Sequence, residues 1–154
     1  MNPEPPTRRK LVVALVLLAG GASAPAPRLL VSGAWTRPGG AGMNGAGYLT
    51  IANRGPIADR LIAAASPVAG KVSLHQSREV GAMMTMRPVA FIEVGAAARV
   101  TLAPGGLHLM LEGLRRPLRT GQSVPVTLIF ARAGQVRASL VVRGGAPATP
   151  GMAM

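Results

Sequence analysis

Apolar residues along this chain come in short runs, many of them alternating with polar ones and each bounded by glycine or proline. Runs from Gly47 to Ala52, Arg60 to Ala64, Lys71 to His75, Arg99 to Leu102, Leu107 to Leu111, Val124 to Phe130 and Val136 to Val142 read as β-strands. No segment sustains a helical period. Short strands at this spacing predict an all-β sandwich or barrel. One domain is expected over residues 31–143. Residues 25–30, with their Ala-Pro alternation, read as a linker, and residues 144–154, rich in Gly, Ala and Pro, as a tail.

Strand alternation sorts side chains onto two faces. Leu107, Leu109 and Leu111 share one face, while His108 and Met110 share the other, two residues and about 7 Å apart. In the Lys71 to His75 run, Val72 and Leu74 point inward and His75 lies on the opposite face, at the strand end beside a loop. After Gly81 come Met83, Met84 and Met86, on a return segment that Pro88 terminates; if it is extended, Met84 and Met86 lie on one side.

The chain has two histidines and no cysteine among its 154 residues, so both of its imidazoles fall within this grouping. His75, Met86, His108 and Met110 form a donor set of two imidazoles and two thioethers. Thioether sulfur suits copper(I), whereas zinc, calcium and magnesium favour harder or charged donors. The set therefore reads as a Cu(I) site. With no thiolate, thiol redox chemistry and the blue-copper type of electron-transfer centre are excluded. Imidazole must be neutral to bind a metal, so affinity is expected to weaken as pH falls through the ordinary imidazole range near about 6.5.

Composition narrows the setting. Arg8, Arg9 and Lys10 precede an apolar stretch from Leu11 to Ala19 and a small-residue segment, which reads as a cleaved signal peptide over residues 1–24 and predicts a periplasmic protein. That stretch is shorter than the roughly 20 residues a spanning helix needs. The formal charge is +12 with the leader and, by 14 basic against 4 acidic residues, +10 without it. An acidic protein or a peripheral contact with an anionic membrane fits that balance. Nucleic acid is not expected as a partner, since few aromatics are available for stacking.

The spacing His75, ten residues, Met86, twenty-one residues, His108, one residue, Met110 resembles that of the PCuAC-type periplasmic copper chaperones. Similar stretches accompany it: Ala34-Trp35-Thr36-Arg37, Gly47 to Ile51 with Asn53, Ser66-Pro67-Val68-Ala69, Met86-Arg87-Pro88-Val89 and Pro104 to Met110. The resemblance covers residues 33–142. It implies a cupredoxin-like β-sandwich and a monomer with no catalytic role, which binds one Cu(I) through the four residues. It also implies delivery of that ion to the copper-bearing subunit of a cytochrome oxidase or to an assembly factor. Two departures stand out. Leu107 occupies a position where an aromatic is common and is expected to alter the lining of the site, and the tail offers only Met152 and Met154, without histidine.

Taken singly, each residue has an ordinary reading. Met83 and Met84 read as core gap-fillers, with Met43 and Met84 as auxiliary donors in second place, and Trp35 and Tyr48 as buried packing anchors. No Ser-His-Asp set can be assembled, because both histidines are engaged and Asp59 is the only aspartate. Glu112 shares a strand face with His108 and Met110 and is placed to orient a histidine. Two alternatives to delivery remain at this stage: periplasmic copper storage or resistance, and an interaction module in which metal is incidental.

Overall fold

The computed structural model describes residues 28–144, and every regular element within them is a β-strand. The strands are β1 (Leu29–Thr36), β2 (Gly45–Asn53), β3 (Asp59–Ala65), β4 (Ala69–Val80), β5 (Met83–Pro88), β6 (Ile92–Val94), β7 (Arg99–Leu102), β8 (Leu107–Leu114), β9 (Ser123–Phe130) and β10 (Gly134–Val142). The path β4-β8-β2-β1-β10-β9-β3 returns to β4 where Ala64 stands opposite Val72, so the sheet closes on itself. β5 continues the sheet beyond β4, β6 lies outside β3, and β7 takes over from β8 as the partner of β2. The fold is all-β, a cupredoxin-like β-sandwich.

Inward positions alternate as the pleat requires. Leu49, Ile51, Leu61, Leu74, Leu102, Leu109, Leu111, Leu128, Phe130 and Leu140 are buried in one contiguous core. Few aromatics contribute, so aliphatic side chains fill the space between the sheets. The signal-peptide and tail readings fall largely on residues outside those described.

β5 falls outside the runs that alternation marks, and three further differences from the sequence expectation stand out. β1 begins at Leu29, so the end of the segment read as a linker belongs to the sheet. Its Val31 and Ala34 pack against the core across a register shift between Ser32 and Trp35, an irregularity that breaks the alternation by which a strand is recognised. The short β6 carries too few residues to show a pattern. The third difference matters most: β4 runs on from His75 to Val80, which places His75 within the strand and not at its end. Residues Gln76 to Val80 leave the core while their backbone goes on pairing with β5, so the apolar alternation stops before the strand does.

A two-residue turn, Gly81-Ala82, joins β4 to β5 with Val80 opposite Met83. Gly81 has φ 63° and Ala82 is not in the positive-φ region, the pattern of a II′ hairpin turn with glycine at its first central position. This turn fixes the register that sets Met86 opposite Ser77. At the outer edge, Pro88 ends β5 and removes a donor that a neighbouring chain could otherwise pair with.

Two stability effects follow. Leu109→Ala empties a fully buried position between His108 and Met110 and should cost about 2–5 kcal/mol in chemical denaturation. Gly81→Ala should cost about 1–3 kcal/mol by forcing a side chain onto the strained turn backbone.

Candidate metal centre

β4 and β8 pair antiparallel from Ala69 opposite Leu114 to Gln76 opposite Leu107, and this register places His75 directly across from His108. Their rings lie 25° from parallel with centroids 5.9 Å apart. Met110 stands opposite Ser73 on β4 and opposite Ala46 on β2. Met86 reaches the same side from β5, across from Ser77 and two register positions from His75.

A cleft of about 340 Å³ is lined by Met86, His108 and Met110 together with Tyr48, Ser77, Gly105 and Arg37. The cleft lies where β2 passes from β8 to β7, with the loop before β8 at its rim. His75 is not among the lining residues; it adjoins the cleft through its stacked contact with His108. Three of the four donors read from the sequence thus share one cleft, and the fourth lies against it.

Among the described residues, hydrogen bonding separates these histidines from the other buried side-chain polar atoms. The buried polar side chains are Thr36, Asn53, Asp59 and His108. Thr36 Oγ1 donates to the Ala46 carbonyl at 2.7 Å, and Asn53 Nδ2 donates to the Ile57 carbonyl at 2.7 Å while its Oδ1 accepts from Gly55 N–H. Asp59 accepts from the backbone N–H groups of Arg60, Arg132 and Ala133. A second cleft around Asp59 therefore holds a carboxylate already engaged in fastening the β9–β10 turn. The buried side-chain atoms without a partner, among the described residues, are His75 Nδ1 and His108 Nε2.

An unpaired buried polar atom costs about 1–3 kcal/mol, and buried polar groups in folded proteins are nearly always satisfied. Each histidine is anchored through its other nitrogen. His108 Nδ1 lies 3.1 Å from the Gly106 carbonyl, and His75 Nε2 lies 2.9 Å from Ser73 Oγ. Ser73 Oγ in turn donates to Glu112 Oε2 at 3.0 Å. A histidine that ligates metal through one nitrogen ordinarily hydrogen-bonds through the other. Among the described residues no group of three or more His, Cys, Asp and Glu is placed to hold a metal ion; the soft side chains that line the cleft with His108 are the thioethers of Met86 and Met110.

Several residues take positions the sequence did not suggest. Met83 and Met84, read as core gap-fillers, are 70% and 60% exposed. They stand on a hairpin that projects past the core. As expected for an extended segment, Met84 shares the Met86 side, one pleat further out, while Met43 is exposed on the loop before β2. Trp35 is half-buried, and its ring lies 4.7 Å from that of buried Tyr48, which itself lines the cleft. Leu107 packs against the core and does not line the cleft, because it falls on the inward parity of β8. Ser73 carries no motif of its own, and Gly106 lies in the Pro104 to Met110 stretch without a role that the sequence assigns. Their places beside the histidines emerge only from pairing.

Residues 29–142 match the family described as "Putative lipoprotein LpqE-like". The chain belongs to the LpqE-like family. This LpqE-like chain is 35% identical over 102 residues to "Putative lipoprotein Lxx21020" of Leifsonia xyli subsp. xyli, a match that spans 66% of this chain and 61% of that relative's length. Its fold is similar to the apo PCuAC domain from PmoF1, at TM-score 0.65 and 26% identity over 78% of this chain and 97% of that one. It is also similar to the copper-bound PCuAC domain from PmoF2, at TM-score 0.64 and 25% identity over 78% and 96%. The solution structure of CuI-DR1885 from Deinococcus radiodurans aligns at TM-score 0.59 and 29% identity over 81% and 83%.

Because Met86 stands 51% exposed on an outer strand, Met86→Leu in the LpqE-like domain should leave the unfolding free energy within about 0.5 kcal/mol of wild type. Chemical denaturation checks this, and it qualifies the variant as a probe of the site alone.

Proposed function

We propose that this protein is a periplasmic copper chaperone that binds one Cu(I) through His75, Met86, His108 and Met110 and passes it on without catalysing a reaction. The observation that carries this reading is the pair of unpartnered nitrogens, His75 Nδ1 and His108 Nε2, on neighbouring strands beside the thioethers of Met86 and Met110. Similarity to a copper-bound PCuAC domain and to CuI-DR1885 supports the same cargo.

All four donors are neutral, so a bound Cu(I) ion keeps its single charge. Two imidazoles and two thioethers match its softness without the strength of thiolate ligation. Such a site holds copper against water and yields it to an acceptor that offers thiolates. The recipient in this reading is the copper-bearing subunit of a cytochrome oxidase or an assembly factor that serves it, and the carrier acts as a monomer. Export is supported by the basic and apolar pattern at Arg8 to Ala19 and by relatives named as lipoproteins. None of the 154 residues is cysteine, so a thiol-linked lipid has no attachment point within them.

Competition titration with a Cu(I) chelator under anaerobic conditions tests the binding step, and mixing the loaded protein with an apo oxidase copper domain tests delivery. One equivalent of copper bound and then lost to the acceptor is expected. Met86→Leu and Met110→Leu should each weaken binding by at least about tenfold, a loss of about 1.4 kcal/mol. Tight retention in the presence of the acceptor would contradict delivery, and equal affinity of the variants would contradict the ligand set.

A further inference from the structure

The two histidines are anchored in different ways, and the difference determines which nitrogen each can offer. A backbone carbonyl only accepts, so the 3.1 Å contact between His108 Nδ1 and the Gly106 oxygen requires the proton on Nδ1 and leaves Nε2 bare. His75 is held by a hydroxyl, which can donate or accept. Left alone, Ser73 Oγ would stabilise either form of the ring.

Glu112 removes that freedom. An ionised carboxylate only accepts and is a stronger acceptor than a neutral imidazole, so the Ser73 proton turns toward Glu112 Oε2, 3.0 Å away. The Ser73 lone pair then faces His75 Nε2 at 2.9 Å and accepts a hydrogen bond from it, which keeps the proton on Nε2 and leaves Nδ1 bare. That bare Nδ1 and the bare Nε2 of His108 are the two nitrogens that lack a partner. Strand parity makes the chain of contacts possible. Ser73 and His75 are two apart on β4, Glu112 lies four past His108 on β8, and Lys71 is across from Glu112 with 4.0 Å between charged atoms.

We propose that Glu112 and Ser73 are a positioning pair that holds His75 as its Nε2–H tautomer, so that the two histidines present copper(I) with different ring nitrogens, Nδ1 of His75 and Nε2 of His108. The inference rests on the copper reading for what the bare nitrogens bind, and on hydrogen-bond geometry alone for how they are kept bare. Neither Ser73 nor Glu112 touches the ion; both act through the ring.

Long-range 1H–15N NMR of the metal-free protein at about pH 8, above the ordinary imidazole range near about 6.5, reads the tautomers directly. Wild type should show His75 as Nε2–H and His108 as Nδ1–H. Ser73→Ala and Glu112→Ala should each populate the Nδ1–H form of His75, with His108 unchanged, and Ser73→Thr should restore the wild-type pattern. Cu(I) affinity should fall by about 10- to 100-fold in the two alanine variants and recover in the threonine one. Glu112 is half-exposed, so its variant keeps the test open if Ser73→Ala fails to fold. His75 found as Nδ1–H in wild type, or a tautomer ratio unmoved in both alanine variants, would overturn the relay. So would a parallel change at both histidines. A wild-type chain with the expected tautomers and no Cu(I) binding would instead overturn the copper reading.

Discussion

The antiparallel register of β4 against β8 sets His75 opposite His108, Ser73 opposite Met110 and Leu74 opposite Leu109. Because side chains alternate with period two, a slip of one residue would turn the histidines into the core and bring Leu74 and Leu109 out to the cleft. The buried leucines forbid that slip, since exposing either forfeits about 1.5–3 kcal/mol of hydrophobic stabilisation. The same residues that hold the sandwich together thus keep the donors facing outward.

From this register the remaining contacts follow by adjacency. β5 hangs on β4 through the Gly81 turn and delivers Met86, β2 covers the other side of β8 with Ala46 and Tyr48, and the loop before β8 supplies the Gly106 carbonyl. Two histidine nitrogens are left without partners in a molecule that satisfies Thr36, Asn53 and Asp59 with direct hydrogen bonds. A soft cation seated beside the thioethers would remove that penalty. In the proposed function, copper binding would satisfy that buried polarity, and a ligand that binds only the folded chain stabilises it by mass action.

Much of this was legible in the chain. The alternation Leu107, Leu109, Leu111 against His108, Met110 separates the core face of β8 from the face that carries His108 and Met110, and β2, β3, β7, β9 and β10 lie within two residues of the runs that alternation marks. The weak points share one physical origin: pattern reading detects burial, not backbone pairing. β5 presents Met-Met-Thr-Met-Arg-Pro, largely exposed and without alternation, and the outer half of β4 is polar, so neither announced itself as strand. β1 hid behind a register shift. Ser73 was unreadable for a different reason, because a serine is informative only once its neighbours across the strand are known. Glu112, by contrast, was visible through parity with His108, though its route to His75 through a hydroxyl was not.

In the proposed function a copper(I) ion is held by nitrogen and sulfur together. X-ray absorption on anaerobically loaded protein tests it most directly. One copper per chain in the reduced state is expected, with both imidazole nitrogen and thioether sulfur scatterers in its coordination shell. A sulfur-free shell, or copper stable only in its oxidised form, would contradict it.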